Sequence, residues 1–69
     1  MKDYQRKLLN ERNALAESIE ELSRAIEAMD INFPKVKECL MKAQLSTMKS
    51  CLTILDMRIN EEDFSDSSL

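Results

Sequence analysis

Met41, Leu45, Met48, Leu52, Leu55 and Ile59 recur at spacings of four, three, four, three and four. Only a helix, with its period near 3.6 residues, brings such positions onto one face. A second set lies beside that stripe: Leu40, Cys51 and Ile54, with Gln44, Thr47 and Arg58 interleaved. One neighbouring helix can cover the first stripe but not both. Residues 40–59 therefore require a helix from their own chain and more protein from outside it.

The chain supplies the first of these partners. Residues 3–30 read as a helix in which Leu8, Leu15, Leu22 and Met29 recur every seven, with Ile19 and Ile26 between them. In heptad terms these are d and a positions. Gln5 and Arg12 hold the two preceding a positions, so the seam turns polar towards the N-terminus. Asp3 is the expected N-cap, and Glu20 with Arg24 forms an exposed (i, i+4) pair. Residues 30–34, DINFP, form the turn. Asn32 or Phe33 is expected to cap the second helix, with Pro34 in its first turn, where a missing N–H costs nothing. The second helix spans 34–60. So short a connection makes the helices antiparallel neighbours. The expected fold is all-α: an antiparallel two-helix hairpin over residues 1–60, followed by an acidic flexible tail at 61–69 in which Phe64 is the one large apolar group short of the terminal Leu69.

A chain of 69 residues has little core. At this size one core rarely supplies more than about 3–5 kcal/mol. Disulfides, a metal or oligomerisation usually make up the difference. Cys39 and Cys51 stand twelve residues apart on one predicted helix, which is roughly 18 Å of rise. A disulfide requires Cα atoms within about 7 Å. There is no histidine, and two cysteines so far apart cannot share an ion, so no metal is expected. Oligomerisation remains, and the hairpin is expected to assemble into a homo-oligomeric helical bundle. Glycine is absent and proline occurs once, as suits a nearly all-helical chain. No apolar run approaches the ~20 residues of a membrane span. The opening residues MKDYQRK lack an apolar signal region, and two unpaired cysteines fit a reducing cytoplasm. The net charge of −3 argues against duplex nucleic acid as a partner.

Catalytic residues are not expected. There is no histidine for proton transfer and no glycine loop for phosphate. Glu17, Glu20 and Glu21 read as a solvated face, Cys51 as a small apolar residue, and the methionines as packing. No cofactor is implied. Lys35 and Lys37, at the start of the second helix, read as a solvated loop edge or as cations that help an anion bind there. The candidate site is the polar end of the seam, Tyr4, Gln5, Lys7, Glu11 and Arg12, with Arg58 returning to the same end; Tyr4, Lys7, Glu11, Arg12 and Arg58 are the expected ligand residues. The first twelve residues hold four cations, Lys2, Arg6, Lys7 and Arg12, against Asp3 and Glu11. A tyrosine ring stacks on a base at about 1–3 kcal/mol, and an arginine grips phosphate bidentately. The plainer alternative has Tyr4 packing on Leu8 and Ile59, with Arg12 and Glu11 paired across subunits. On chemistry alone that alternative is the simpler one.

The run YQ-x-K-LL-x-E-x3-L-x3-I-x2-L-x3-I, from Tyr4 to Ile26, and the run LM-x2-QL-x2-M-x3-L-x-IL-x2-RI, from Leu40 to Ile59, carry a resemblance. Their order, spacing and short total length resemble the hairpin-domain proteins of the phage anti-CBASS and anti-Thoeris sponge superfamily. That resemblance implies a phage protein in the host bacterial cytoplasm. It implies a homo-oligomer that binds cyclic oligonucleotide messengers of immunity, or cyclic ADP-ribose-type signals, between protomers without cleaving them. Tyr4 would stack on a base, and Lys7, Arg12 and Arg58 would neutralise phosphates. Glu11 would orient Arg12 or accept from a base edge. The chain departs from the superfamily pattern at Ser18, where a lysine is common, at Ala25 and Cys51, where aromatics are common, and at Lys7, often an arginine. The alternative function is a structural or adaptor hairpin that binds another protein through its wide apolar face.

Overall fold

In the computed structural model the described residues are 2–61, and they form two helices, α1 (Asp3–Glu27) and α2 (Lys35–Glu61). The flexible tail assigned to 61–69, with Phe64, lies outside the described residues apart from Glu61, which closes α2.

The start of α1 is set by a glutamine. Lys2, in extended conformation, takes the N-cap place, one residue before the expected Asp3. Its backbone N–H donates to Gln5 Oε1 at 2.9 Å. This is one half of a capping box. The other half cannot form, because an ammonium group has no lone pair to accept with. Gln5 is buried, at 6% exposure, and its amide oxygen is the acceptor in this cap. Asp3 stands in the first turn, where a negative charge meets the positive end of the helix dipole.

α1 stops at Glu27, short of the expected residue 30. The Ala28 N–H still donates to the Arg24 carbonyl, but that of Met29 donates to Ile26, three residues back, so the last turn tightens. Asp30 then draws the chain out of the helix. Its carboxylate accepts the Asn32 N–H at 2.9 Å and its carbonyl accepts that of Phe33 at 3.1 Å. Such an Asx turn competes directly with helical hydrogen bonding. Pro34 stands immediately before α2 rather than within its first turn. Its carbonyl accepts the Glu38 N–H at 3.0 Å, the first bond of the new helix.

The two helices pack on one another as an antiparallel hairpin. Met41, Leu45, Met48, Leu52, Leu55 and Ile59 are all half-buried, which is the expected stripe without exception. Facing them on α1 are Leu8 and Ile19, buried at 5% and 9% exposure, with Leu15, Leu22 and Ile26 half-buried. Leu8 and Ile19 are the only buried apolar side chains among the described residues. The second set on α2 is left in solvent. Leu40 is 65% and Ile54 56% exposed, and Gln44, Thr47, Cys51 and Arg58 are exposed beside them. Val36 and Met57, also exposed, extend the same region. Among the described residues no helix is long and apolar enough to cross a membrane.

Candidate functional site

Tyr4, Lys7 and Glu11 are spaced three and four residues apart, so they share a stripe of α1 beside the packed seam. Antiparallel packing returns the end of α2 to the same level. The result is a concavity of about 210 Å³ lined by Tyr4, Lys7, Leu8, Glu11 and Arg58. Four of the five expected ligand residues therefore meet in one place. An aromatic ring, two cations and one carboxylate surround an apolar floor at Leu8. Lys7, Glu11 and Arg58 form no salt bridge with another described residue, so their charges are not neutralised within the hairpin.

Arg12 is the exception. Its Nε donates to Asp56 Oδ1 at 2.8 Å, and the pair ties α1 to α2. Arg12 is half-buried on the flank of α1 that carries Leu9 and Ala16, turned away from Tyr4 and Glu11. Within the hairpin Arg12 neither lines the concavity nor pairs with Glu11 of its own chain. Sequence reasoning overlooked Asp56, although it is the only acid within residues 40–59 and stands next to Leu55 of the packed stripe. A lone carboxylate flanking an apolar seam was the available signal.

A second concavity, of about 380 Å³, is lined by Ser18, Glu21, Leu22, Gln44 and Met48. It lies further along the same side of the hairpin, because Ser18 continues the Tyr4, Lys7, Glu11 stripe seven residues on. Its lining includes one acid and no cation, so Ser18 stands where a lysine would have balanced the charge of Glu21. Glu17, Glu20 and Glu21 lie on the exposed side of α1, with Arg24 3.7 Å from Glu20, as a solvated face would.

At the start of α2, Glu38 gathers two cations, Lys42 at 2.8 Å and Lys35 at 3.6 Å. The hydrogen bond and charge of Lys42, helped by Lys35, hold the Glu38 carboxyl below its usual range; Glu38 in turn raises Lys42. Lys35 is thus engaged locally. Lys37 makes no ion pair among the described residues. No group of three or more His, Cys, Asp or Glu side chains among the described residues is placed to hold a metal.

The arrangement can hold a small anion with a flat apolar part. Its volume, about 210 Å³, falls below the roughly 300–1,000 Å³ of ordinary ligand pockets. A family model described as Sequestin matches residues 2–61. No curated protein and no solved structure matches the chain.

Proposed function

The chain belongs to the Sequestin family, and from that premise we propose that it is a non-enzymatic sponge for a cyclic nucleotide messenger. A family named for sequestration speaks for holding a ligand rather than converting it. The observation that carries the messenger class is the concavity at Tyr4, Lys7, Glu11 and Arg58. A purine or pyrimidine would stack on the Tyr4 ring, phosphates would face Lys7 and Arg58, and Glu11 would accept from a base edge. Such a protein works by stoichiometry: each copy removes messenger from the host effector's supply. Its place is the cytoplasm of a phage-infected bacterium, as a homo-oligomer in which a neighbouring copy closes the shallow site.

The test is isothermal titration calorimetry of the purified protein against cyclic dinucleotides, cyclic trinucleotides and cyclic ADP-ribose isomers, with the ligand recovered by chromatography. Binding with intact ligand returned is the expected result. Recovery of a hydrolysed product would make the protein an enzyme.

One observation favours a second reading. The exposed apolar stripe on α2 would also suit a hairpin that docks on an unrelated protein. Silence across the ligand panel from a well-folded sample would move the assignment there. Tyr4→Ala separates the two readings, because it weakens ligand binding in the first and is neutral in the second.

A further inference from the structure

Ile54, Met57, Arg58 and Glu61 line a concavity of about 340 Å³ at the end of α2. None of the four belongs to the stripe that packs against α1. Its apolar part is open, with Ile54 56% and Met57 61% exposed. The described residues end at Glu61, which is itself part of this lining. Residues 62–69, EDFSDSSL, follow directly. We propose that this segment of the chain docks on the concavity, with Phe64 against Ile54 and Met57 and the neighbouring carboxylates against Arg58.

Reach, shape and charge each favour this occupant. Phe64 stands three residues beyond Glu61, and Ile54 seven residues before it. Three residues of chain span up to about 10 Å, and seven residues of helix rise by roughly the same distance. An apolar cavity of about 150 Å³ already holds benzene, so a phenyl ring fits here. Ile54, Met57 and Glu61 are spaced by three and four, and Phe64 lies three further on. The charge is one-sided. Glu61, Glu62, Asp63 and Asp66 crowd the end of α2, and Arg58 is the only base in residues 50–69. Acids at that end of a helix meet the negative pole of its dipole and need a cation nearby. Arg58 forms no salt bridge with another described residue. Its guanidinium can take a carboxylate and also lie over the Phe64 ring.

Arg58 also lines the Tyr4 concavity. A carboxylate laid against it takes the place of a ligand's phosphate, so the segment competes with anions for that site. All ten bases of the chain lie before residue 59, whereas four of its 13 acids lie at 61–66. The acidic excess of the protein is thus held next to the cations that would bind an anion. The competition rests on the ligand reading of the Tyr4 concavity; the docking does not.

The chain has no tryptophan, so Phe64→Trp in the full chain is a single fluorescent reporter, and Ser68→Trp is its control. Phe64→Trp is expected to emit at shorter wavelength, with acrylamide quenching about threefold weaker than in Ser68→Trp, as for a ring that buries most of its surface. Adding Ile54→Ser with Met57→Ser, or separately Arg58→Glu, should raise the quenching towards the control while helical circular dichroism is kept. The protection should hold over about a tenfold range of protein concentration, because the occupant belongs to the same chain. A reporter as accessible as the control, or protection that survives both sets of substitutions, would overturn the docking. Protection that grows with concentration would put a second copy on the concavity and overturn it as well. A cyclic nucleotide that binds the protein should raise the quenching as it takes Arg58, and binding with quenching unchanged would overturn the competition. Protection as expected with a silent ligand panel would leave the docking standing and remove the messenger.

Discussion

Tyr4 and Arg12 were assigned to one site by sequence, and the structure separates them. Tyr4 lines the concavity with Lys7, Glu11 and Arg58, while Arg12 is bonded to Asp56. Their substitutions should therefore part company. Tyr4→Ala is expected to weaken nucleotide binding by about ten- to a hundredfold, the loss of one base stack at ~1–3 kcal/mol. Arg12→Ala should leave affinity within about twofold. Its ion pair is partly exposed, with side chains 35% and 46% accessible, so the cost in stability should be at most about 1 kcal/mol. Calorimetry and thermal melting of the two variants check both statements, and a large affinity loss in Arg12→Ala would return that residue to the site. Glu38 offers a second test at this scale. Its carboxyl titrates low in the folded chain because Lys42 and Lys35 hold the charge. Its stabilisation is therefore complete above the ordinary carboxylate range and is lost as pH falls through the lowered value. Lys42, raised by Glu38, gives the mirror case: its share is complete below the ordinary lysine range and lost as pH rises through the raised value. The melting difference between the native chain and Glu38→Gln should be flat at neutral pH and close at both extremes. A gap that persists at the acid end would mean that something other than the carboxylate charge carries it.

At the scale of elements, the two helices were legible because burial is periodic. The α2 stripe from Met41 to Ile59 is half-buried at every position that the 3.6-residue period marks. The helix ends were less legible, since local hydrogen bonds decide them and periodicity does not. Asp30 ends α1 through an Asx turn, and Gln5 rather than Asp3 supplies the start. The Arg12–Asp56 pair was illegible for another reason. Which flank of the seam a polar a-position residue leans towards depends on how the helices are rotated against each other, and spacing alone does not give that. Leu8 and Ile19 mark the firm part of the hairpin. Truncating a buried aliphatic typically costs about 2–5 kcal/mol, comparable with the ~3–5 kcal/mol a chain of this size commands. Ile19→Ala should accordingly abolish most helical circular dichroism at micromolar concentration. Thr53→Ala, an exposed change to a better helix former, should leave it intact. Retention of the full signal in Ile19→Ala would place the main stabilisation outside the α1–α2 seam.

For the whole molecule, the weak internal core and the exposed second stripe go together: α1 covers one side of α2 and leaves Leu40 and Ile54 on the other in solvent. If association between copies supplies the missing burial, folding and assembly are a single equilibrium, and stability has to depend on protein concentration. A tenfold rise in concentration adds about 1.4 kcal/mol to a dimer. For two chains of this length that should raise the melting temperature by about 3–6 °C. Leu40→Lys places a charge in the stripe without touching the packed seam or the Tyr4 concavity. It should lower the melting temperature at every concentration and flatten its concentration dependence. Melts of the native chain and of Leu40→Lys from 5 to 500 micromolar, on the order of a hundredfold range, decide the matter. A melting temperature that does not move with concentration in the native chain would mean that the hairpin stands alone. The apolar stripe would then be free for a different protein, and the concavity at Tyr4 would have to bind with only the residues one copy provides.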